Sequence, residues 1–139
     1  MIERIKTDIC IIGAGSGGLS VAAGAAQMGA RVVLIEEGEM GGDCLNHGCV
    51  PSKALLAASA RVPRPTYAEA MAHVRASIAA IAPHDSQERF EGLGVRVIRA
   101  RGAFIGPKTV RAGEAAVAAR RFVVATGSRP MVPAIEGLA

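Results

Sequence analysis

The stretch GGDCLNHGCVPSK (residues 41–53) places Cys44 and Cys49 five positions apart, between a glycine pair and a Pro-Ser-Lys run. Cysteine pairs form reversible disulfides, bind metal ions, or pack as small apolar side chains. His47 lies between the two and could assist a zinc site, but no second Cys or His pair lies nearby. The polar, glycine-rich surroundings argue against two inert thiols. The sequence therefore favours a redox pair.

The spacing of the two cysteines restricts how a disulfide can form. In an ideal helix, residues five apart lie more than one turn apart along the axis and point in different directions. A disulfide between Cys44 and Cys49 therefore requires a distorted first helical turn, and Gly48 makes that distortion easier. Such a ring would be strained and more reducible than a structural bridge. Cys10 lies inside a predicted strand, and we interpret it as a buried apolar residue.

A glycine-rich turn upstream has the residues to bind a dinucleotide. Gly13, Gly15 and Gly18 occupy the glycine positions of G-x-G-x-x-G, and Glu36 ends the next predicted strand. The first glycine allows a tight exit from the strand, the second lets the backbone approach a pyrophosphate, and the third lets the helix pack closely. The helix N-terminus favours phosphate groups. Glu36 can bind the adenosine ribose and would repel a 2′-phosphate, which favours FAD or NAD over NADP.

The elements that must position these residues follow from apolar patterning and from glycine and proline breaks. Strands are predicted over residues 8–12, 31–36, 95–100, 102–105, 109–113 and 120–127, and helices over 16–28, 54–60 and 66–82. Asp85, with Glu88 three residues later, is expected to cap one more helical segment. The first strand, helix and second strand form a βαβ unit. The later strands predict a third parallel strand, a small antiparallel excursion and a return to the sheet, so the fold class is α/β and Rossmann-like.

Composition and charge exclude several other functions. Aromatic residues make up 3% of the 139 residues, too few for a platform that stacks single-stranded nucleic acid. The net charge of +4 comes with arginines that are spread along the chain, so we expect no nucleic-acid partner. The N-terminal MIERIKTD carries four charged side chains before its apolar run, which predicts neither a secretory signal nor a membrane span. Three cysteines without such a signal fit a reducing cytoplasm.

The whole set of motifs resembles the class I pyridine nucleotide-disulfide oxidoreductases, the family of dihydrolipoyl dehydrogenase, glutathione reductase and mercuric reductase. GGDCLNHGCVPSK looks like the active-site signature of that family. The order of features is also similar: G-x-G-x-x-G, the acid, the cysteine pair, and then Ala-Thr-Gly at residues 125–127 followed by Ser-Arg-Pro. The agreement runs from about Thr7 to Pro130. Ser52 resembles the dihydrolipoyl dehydrogenase and mercuric reductase branches more than the glutathione reductases.

The resemblance implies an FAD-binding domain in which NAD(P)H reduces the flavin, the flavin reduces the disulfide, and the dithiol exchanges electrons with a substrate. Cys44 would be the interchange thiol that attacks the substrate, and Cys49 the flavin-side thiol that forms a charge-transfer pair. Lys53 follows Cys49 by one helical turn, so its ammonium would face the flavin and favour anionic reduced states. The residues implied or interpreted as cofactor-binding are Gly13, Gly15, Gly18, Glu36, Gly42, Ala103, Thr126 and Gly127. No metal site is implied.

Asp43 departs from the family pattern, and His47 has two possible roles. Asp43 stands where the family usually has Thr, and a carboxylate there is expected to disfavour the Cys44 thiolate. His47 is either a catalytic group or a partly exposed loop histidine.

The resemblance also sets expectations about the extent of the domain. Family members continue with a nicotinamide-nucleotide domain, a second part of the FAD domain and a dimerisation domain. Residues 1–139 are therefore expected to be the N-terminal part of an incomplete FAD-binding domain, without turnover of its own. The full-length homodimer would act on a disulfide or dithiol substrate, or on Hg²⁺. The alternatives are a nucleotide-binding Rossmann module whose cysteines do no chemistry, and a zinc module.

Overall fold

The computed structural model describes residues 2–128 and 131–138 of the chain, so Arg129 and Pro130 of the predicted Ser-Arg-Pro segment lie outside the described residues. The strands are β1 (Glu3–Ile12), β2 (Val32–Glu36), β3 (Arg96–Arg99), β4 (Gly102–Gly106), β5 (Thr109–Ala112) and β6 (Ala115–Val124). The helices are α1 (Ser16–Gln27), α2 (Gly42–Asn46), α3 (Cys49–Ser59), α4 (Tyr67–Ile81) and α5 (Gln87–Gly92). A 3₁₀ turn at Ala82–Asp85 links α4 to α5.

One six-stranded sheet has the order β3-β2-β1-β6-β5-β4. The strands β3, β2, β1 and β6 are parallel, while β5 and β4 are antiparallel additions beside β6. Carboxyl ends of parallel strands meet at one edge of a sheet. The turn after β1, Glu36 at the end of β2 and Ala125 after β6 therefore lie together. The predicted α/β class, with its parallel sheet and antiparallel excursion, is confirmed.

Side chains of β1 alternate between two core layers on opposite faces of the sheet, as the period of a strand requires. Cys10 and Ile12 belong to one layer with Val33, and Ile11 belongs to the other with Phe90. Cys10 is 0% exposed, and burial raises the pKa of its thiol to about 11. The prediction that Cys10 is a buried apolar residue is confirmed.

Helix α4 supports the helix that carries Cys49. Thr66 begins α4 with a capping box, in which the Glu69 N–H donates to the Thr66 hydroxyl (3.3 Å) and the Thr66 N–H donates to the Glu69 carboxylate (2.7 Å). The helix buries Ala70 and Val74 and packs against α3. The helix predicted over residues 66–82 is therefore confirmed, with Thr66 as its N-cap.

The largest differences from the predicted element boundaries lie at the starts of β1, β6 and α3 and at one cap. Helix α3 begins at Cys49 rather than at residue 54. β1 begins at Glu3 and β6 at Ala115, each several residues earlier than predicted. Their first residues pair with each other in the sheet, and this pairing outweighs the low strand propensity of charged and alanine residues. The predicted cap at Asp85 is wrong, because the Ser86 hydroxyl caps α5 by accepting from the Arg89 N–H (3.2 Å).

Candidate active site

The turn after β1 is fixed by backbone hydrogen bonds to both neighbouring strands. The Gly13 N–H donates to the Ile35 carbonyl (2.8 Å), and the Ala125 N–H donates to the Ile12 carbonyl (2.8 Å). Gly13 has φ +107°, and a Cβ at this position would collide with the Ala125 carbonyl oxygen. Only glycine fits there, so the tight strand exit predicted for Gly13 is confirmed.

The N-terminus of α1 follows this turn and has the features of an anion site. Its N-cap, Gly15, makes no side-chain cap hydrogen bond, and no acidic residue lies in the first turn. Gly18 packs α1 so closely on the turn that a Cβ would meet the Gly13 carbonyl oxygen. The peptide N–H groups of the first turn thus have no side-chain acceptor. Together with the helix dipole, they suit a phosphate group.

Glu36 is half-buried and joins the end of β2 to the glycine turn. One carboxylate oxygen accepts from the Ala14 N–H (2.5 Å), and the other accepts from the Gly38 N–H (2.6 Å). Each carboxylate oxygen can accept a second hydrogen bond. Glu36 can therefore hold the turn and still accept from the hydroxyls of a ribose. The sequence indicated the second role but not the first.

A cleft of about 770 Å³ lies along the carboxyl edge of the sheet, within the usual size range of a ligand site. Of the predicted cofactor residues, six line it: Gly13, Gly15, Glu36, Gly42, Thr126 and Gly127. Gly18 lies beneath the turn rather than in the cleft. Ala103 is exposed and does not line the cleft, whose wall there consists of Ala100, Arg101 and Gly102. The uncapped helix, the glycine cradle and Glu36 together fit a dinucleotide such as FAD.

The cysteine segment, residues 41–53, docks directly on the glycine turn. The Gly41 N–H donates to the Ala14 carbonyl (2.9 Å), and Gly41 forms a parallel bridge with Gly15. Gly42 has φ +57°, and a Cβ there would collide with the Gly15 Cα. The two chemical features predicted separately from the sequence are therefore one continuous site.

The helix carrying the two cysteines is broken between them. Cys44 lies in α2 and Cys49 is the first residue of α3, so the two do not share one regular helix. The Asp43 carbonyl accepts from both the His47 N–H (2.9 Å) and the Gly48 N–H (2.6 Å), which closes the break. Gly48 has φ −109° and ψ −104°. The distortion that the spacing requires is present, and it lies at Gly48 as predicted.

Cys44 and Cys49 are free thiols that lie close enough to hydrogen-bond. Cys44 is half-buried and Cys49 is exposed. The pKa of Cys44 is raised, first by its hydrogen bond with Cys49, then by burial and by the charge of an ionised Cys49. The Asp43 carboxylate is not among the causes of this shift, and its expected effect on the Cys44 thiolate stays a prediction.

Lys53 and His47 lie on different sides of the segment. Lys53 is exposed, and its positive charge acts to lower the pKa of Cys44 against the larger effects of Cys49. It does not line the cleft, whereas Asp43, Asn46 and His47 do. Asn46 had no predicted role, because a single asparagine between the cysteines carries no sequence signal of its own.

The described ranges, 2–128 and 131–138, contain neither a cluster of metal ligands nor a membrane-spanning helix. Within them, no three His, Cys, Asp or Glu side chains gather closely enough to hold a metal ion. No helix in the same ranges is both long and apolar enough to cross a bilayer.

The fold and site define a dinucleotide-binding α/β domain with a dithiol beside its glycine turn. The family model described as pyridine nucleotide-disulphide oxidoreductase matches residues 7–139, and the chain belongs to that family. It is 35% identical to dihydrolipoyl dehydrogenase 2, chloroplastic, of Arabidopsis thaliana, covering 91% of this chain and 25% of that protein. It is 34% identical to a glutathione reductase of Burkholderia cepacia (98% and 33% covered) and 32% identical to a mercuric reductase of Staphylococcus aureus (94% and 27%).

Solved structures agree with this assignment. The Cu(II) complex of the HOCl-induced flavoprotein disulfide reductase RclA from Escherichia coli superposes with a TM-score of 0.83 at 26% identity, covering 94% of this chain and 30% of that one. The chain thus spans a quarter to a third of the length of these relatives.

Proposed function

We propose that this chain binds FAD in the cleft beside Gly13 and carries the redox-active cysteine pair of an NAD(P)H-dependent disulfide oxidoreductase. The observation that carries the proposal is the contact between Gly42 and Gly15, which joins the cysteine segment to the dinucleotide turn. Membership of the family supports the same conclusion. When bound, FAD would supply the two-electron chemistry that links NAD(P)H to the cysteine pair.

The charges of the cleft favour a dinucleotide that has no 2′-phosphate. Four carboxylates line the cleft, those of Glu36, Glu37, Glu39 and Asp43, against the guanidinium of Arg101. Negative charge near the ribose repels a 2′-phosphate. We therefore assign this cleft to FAD rather than to NADP(H), and place the NAD(P) site in a part of the enzyme other than this cleft.

The two cysteines have different roles in this proposal. Membership of the family supports Cys49 as the flavin-side thiol and Cys44 as the thiol that exchanges with substrate. The exposure of the pair is compatible with a disulfide substrate, a dithiol substrate or Hg²⁺. Lys53, placed near the pair, would stabilise its anionic forms. The full enzyme would work as a cytoplasmic homodimer.

The experiment is a titration of FAD into the 139-residue chain. Binding is measured by the quenching of flavin fluorescence. ADP shares the adenosine and pyrophosphate groups with FAD, so it should compete. NADP⁺ should compete less well than NAD⁺, because of the carboxylate of Glu36. Glu36→Gln should reduce that difference between NAD⁺ and NADP⁺.

The matched control is Glu88→Gln, which lies on the exposed face of α5 away from the cleft. This variant should leave the competition by ADP, NAD⁺ and NADP⁺ unchanged. A chain that binds neither FAD nor ADP would overturn the proposal. Binding of nucleotides by a chain whose cysteines never exchange with disulfides would instead support the binding-only Rossmann module.

A further inference from the structure

Asn46 is a part-buried residue of the cysteine segment whose amide makes two hydrogen bonds to the chain that enters that segment. Its Nδ2 donates to the Met40 carbonyl (3.1 Å) and to the Gly42 carbonyl (2.9 Å). Both partners are carbonyl oxygens, so only the amide nitrogen of Asn46 can satisfy them. The two bonds use both N–H donors of the side chain. Asn46 therefore closes residues 40–46 into a loop around the start of α2.

This loop contains the contact that joins the cysteines to the glycine turn. Gly42 abuts Gly15 with no room for a side chain, and the preceding Gly41 bonds to Ala14. At the other end of the loop, α2 carries Cys44 two residues before Asn46. The side chain of Asn46 also lines the cleft. A change in the position of Asn46 would therefore alter both the contact with the glycine turn and the position of Cys44.

We propose that Asn46 is the positioning residue that holds Cys44 in reach of Cys49 and keeps α2 seated on the dinucleotide turn. Two hydrogen bonds across the loop restrict α2 to one placement, and the thiol of Cys44 moves with α2. The effect on the thiols needs no bound cofactor. The effect on dinucleotide affinity rests on the function proposed above.

The consequence is measurable in the equilibrium between the dithiol and its disulfide. Oxidation by glutathione disulfide takes two electrons and two protons from Cys44 and Cys49, forms the S–S bond, and yields two molecules of glutathione thiol. A pair that is held close forms the ring more readily than a pair that moves freely. Loss of the Asn46 hydrogen bonds therefore favours the dithiol.

The test compares the unaltered chain with Asn46→Asp, Asn46→Ala and the control Ser59→Ala, without FAD. Asn46→Asp preserves the size of the side chain but turns a carboxylate toward two carbonyl oxygens. Ser59 makes a similar side-chain bond to the Leu56 carbonyl (2.7 Å) at the far end of α3. The equilibrium constant with glutathione should fall about tenfold in both Asn46 variants, and stay unchanged in Ser59→Ala. Thermal unfolding is recorded for each variant.

A merely structural role for Asn46 predicts a lower unfolding temperature with an unchanged glutathione equilibrium in the fraction that is folded. That result would overturn the proposal, as would an unchanged equilibrium in variants of normal stability. If the variants unfold at the assay temperature, the equilibrium is measured at a lower temperature where each is folded. FAD affinity is titrated separately, so a chain that binds no FAD would contradict the proposed function and leave the thiol result to decide the role of Asn46.

Discussion

The glycine turn and the cysteine segment touch at Gly15 and Gly42, yet they are held in opposite ways. The turn is fixed by backbone hydrogen bonds to two strands, and the space around Gly13 admits no Cβ. The cysteine segment consists of a five-residue helix and the exposed first turn of α3. Its placement depends on the Gly41 hydrogen bond to Ala14, on the Gly42 contact and on the side chain of Asn46.

This difference separates the two tasks of the site. Binding of a pyrophosphate needs donors that do not move, and backbone N–H groups in a packed turn meet that need. Exchange of disulfides needs thiols that a substrate can reach. Substitutions in the turn should therefore damage the fold, and substitutions at the thiols should damage chemistry while leaving the fold intact.

The largest effect is expected from Gly18→Ala. The new Cβ would overlap the Gly13 carbonyl oxygen, so α1 must move away from the sheet. The free energy of unfolding should fall by about 3 kcal/mol, as for an overpacked core site. Urea unfolding followed by circular dichroism measures it.

The matched control for Gly18→Ala is Gly24→Ala in the same helix. No atom lies within 4 Å of a Cβ at Gly24, so this substitution should raise the free energy of unfolding by about 0.5–1 kcal/mol. Equal effects of the two substitutions would show that the turn is not closely packed.

A smaller effect is expected from Thr66→Ala, which removes the capping box of α4. The free energy of unfolding should fall by about 1 kcal/mol, since one N-cap is lost. Because no residue of α4 lines the cleft, dinucleotide affinity should not change. Ser20→Ala, which removes an exposed side-chain hydrogen bond within α1, is the control and should stay within about 0.5 kcal/mol. A loss of affinity in Thr66→Ala would contradict the separation of the two regions.

Acid should weaken the strand pair beneath the turn. The Arg31 side chain and N–H donate to the Asp8 carboxylate (3.1, 3.2 and 3.0 Å) and lower its pKa from 3.8 to about 2. Because the folded pKa is lower than the unfolded one, the stabilisation is complete above about 3.8 and is lost as pH falls toward 2. In Asp8→Asn, the unfolding free energy should no longer fall between about pH 3.8 and pH 2 because of this group. If the same loss of stability persists in that variant, another carboxylate causes the acid sensitivity.

The smallest effect on stability is expected at the two thiols of the segment. Cys44→Ser and Cys49→Ser should each change the free energy of unfolding by less than about 0.5 kcal/mol, while exchange with disulfides is lost. Cys10→Ser is the matched control, because it places a hydroxyl in a fully buried strand and should cost about 1–3 kcal/mol. If the three serine variants were equally unstable, the cysteine segment would be part of the packed core.

Much of this site follows from local sequence. The glycine positions, Glu36 and the two cysteines were each predicted from spacing and type, because a tight turn or a thiol pair leaves few other solutions. The wrong cap at Asp85 was a choice between adjacent local candidates, because Ser86 caps Arg89 three residues later. The early start of β1 depends on contacts that local pattern does not contain. Glu3 joins the sheet only because Ala115 lies opposite it.

Other features of the site required the folded chain. The sequence drew attention to the carboxylate of Asp43, whereas the folded chain shows that its backbone carbonyl closes the helix break at Gly48. Ala103 was expected at the cleft, but of these two neighbours only Gly102 lines it. The role of Asn46 depends on Met40, six residues away, which no spacing rule connects to it.

The most direct test of the central claim, that the dinucleotide cleft and the dithiol form one redox site, is the absorption spectrum of the reduced chain with FAD added. The account predicts a long-wavelength charge-transfer band that persists in Cys44→Ser and disappears in Cys49→Ser. Bound FAD without such a band in the reduced chain would contradict the account, as would a band that persists in Cys49→Ser.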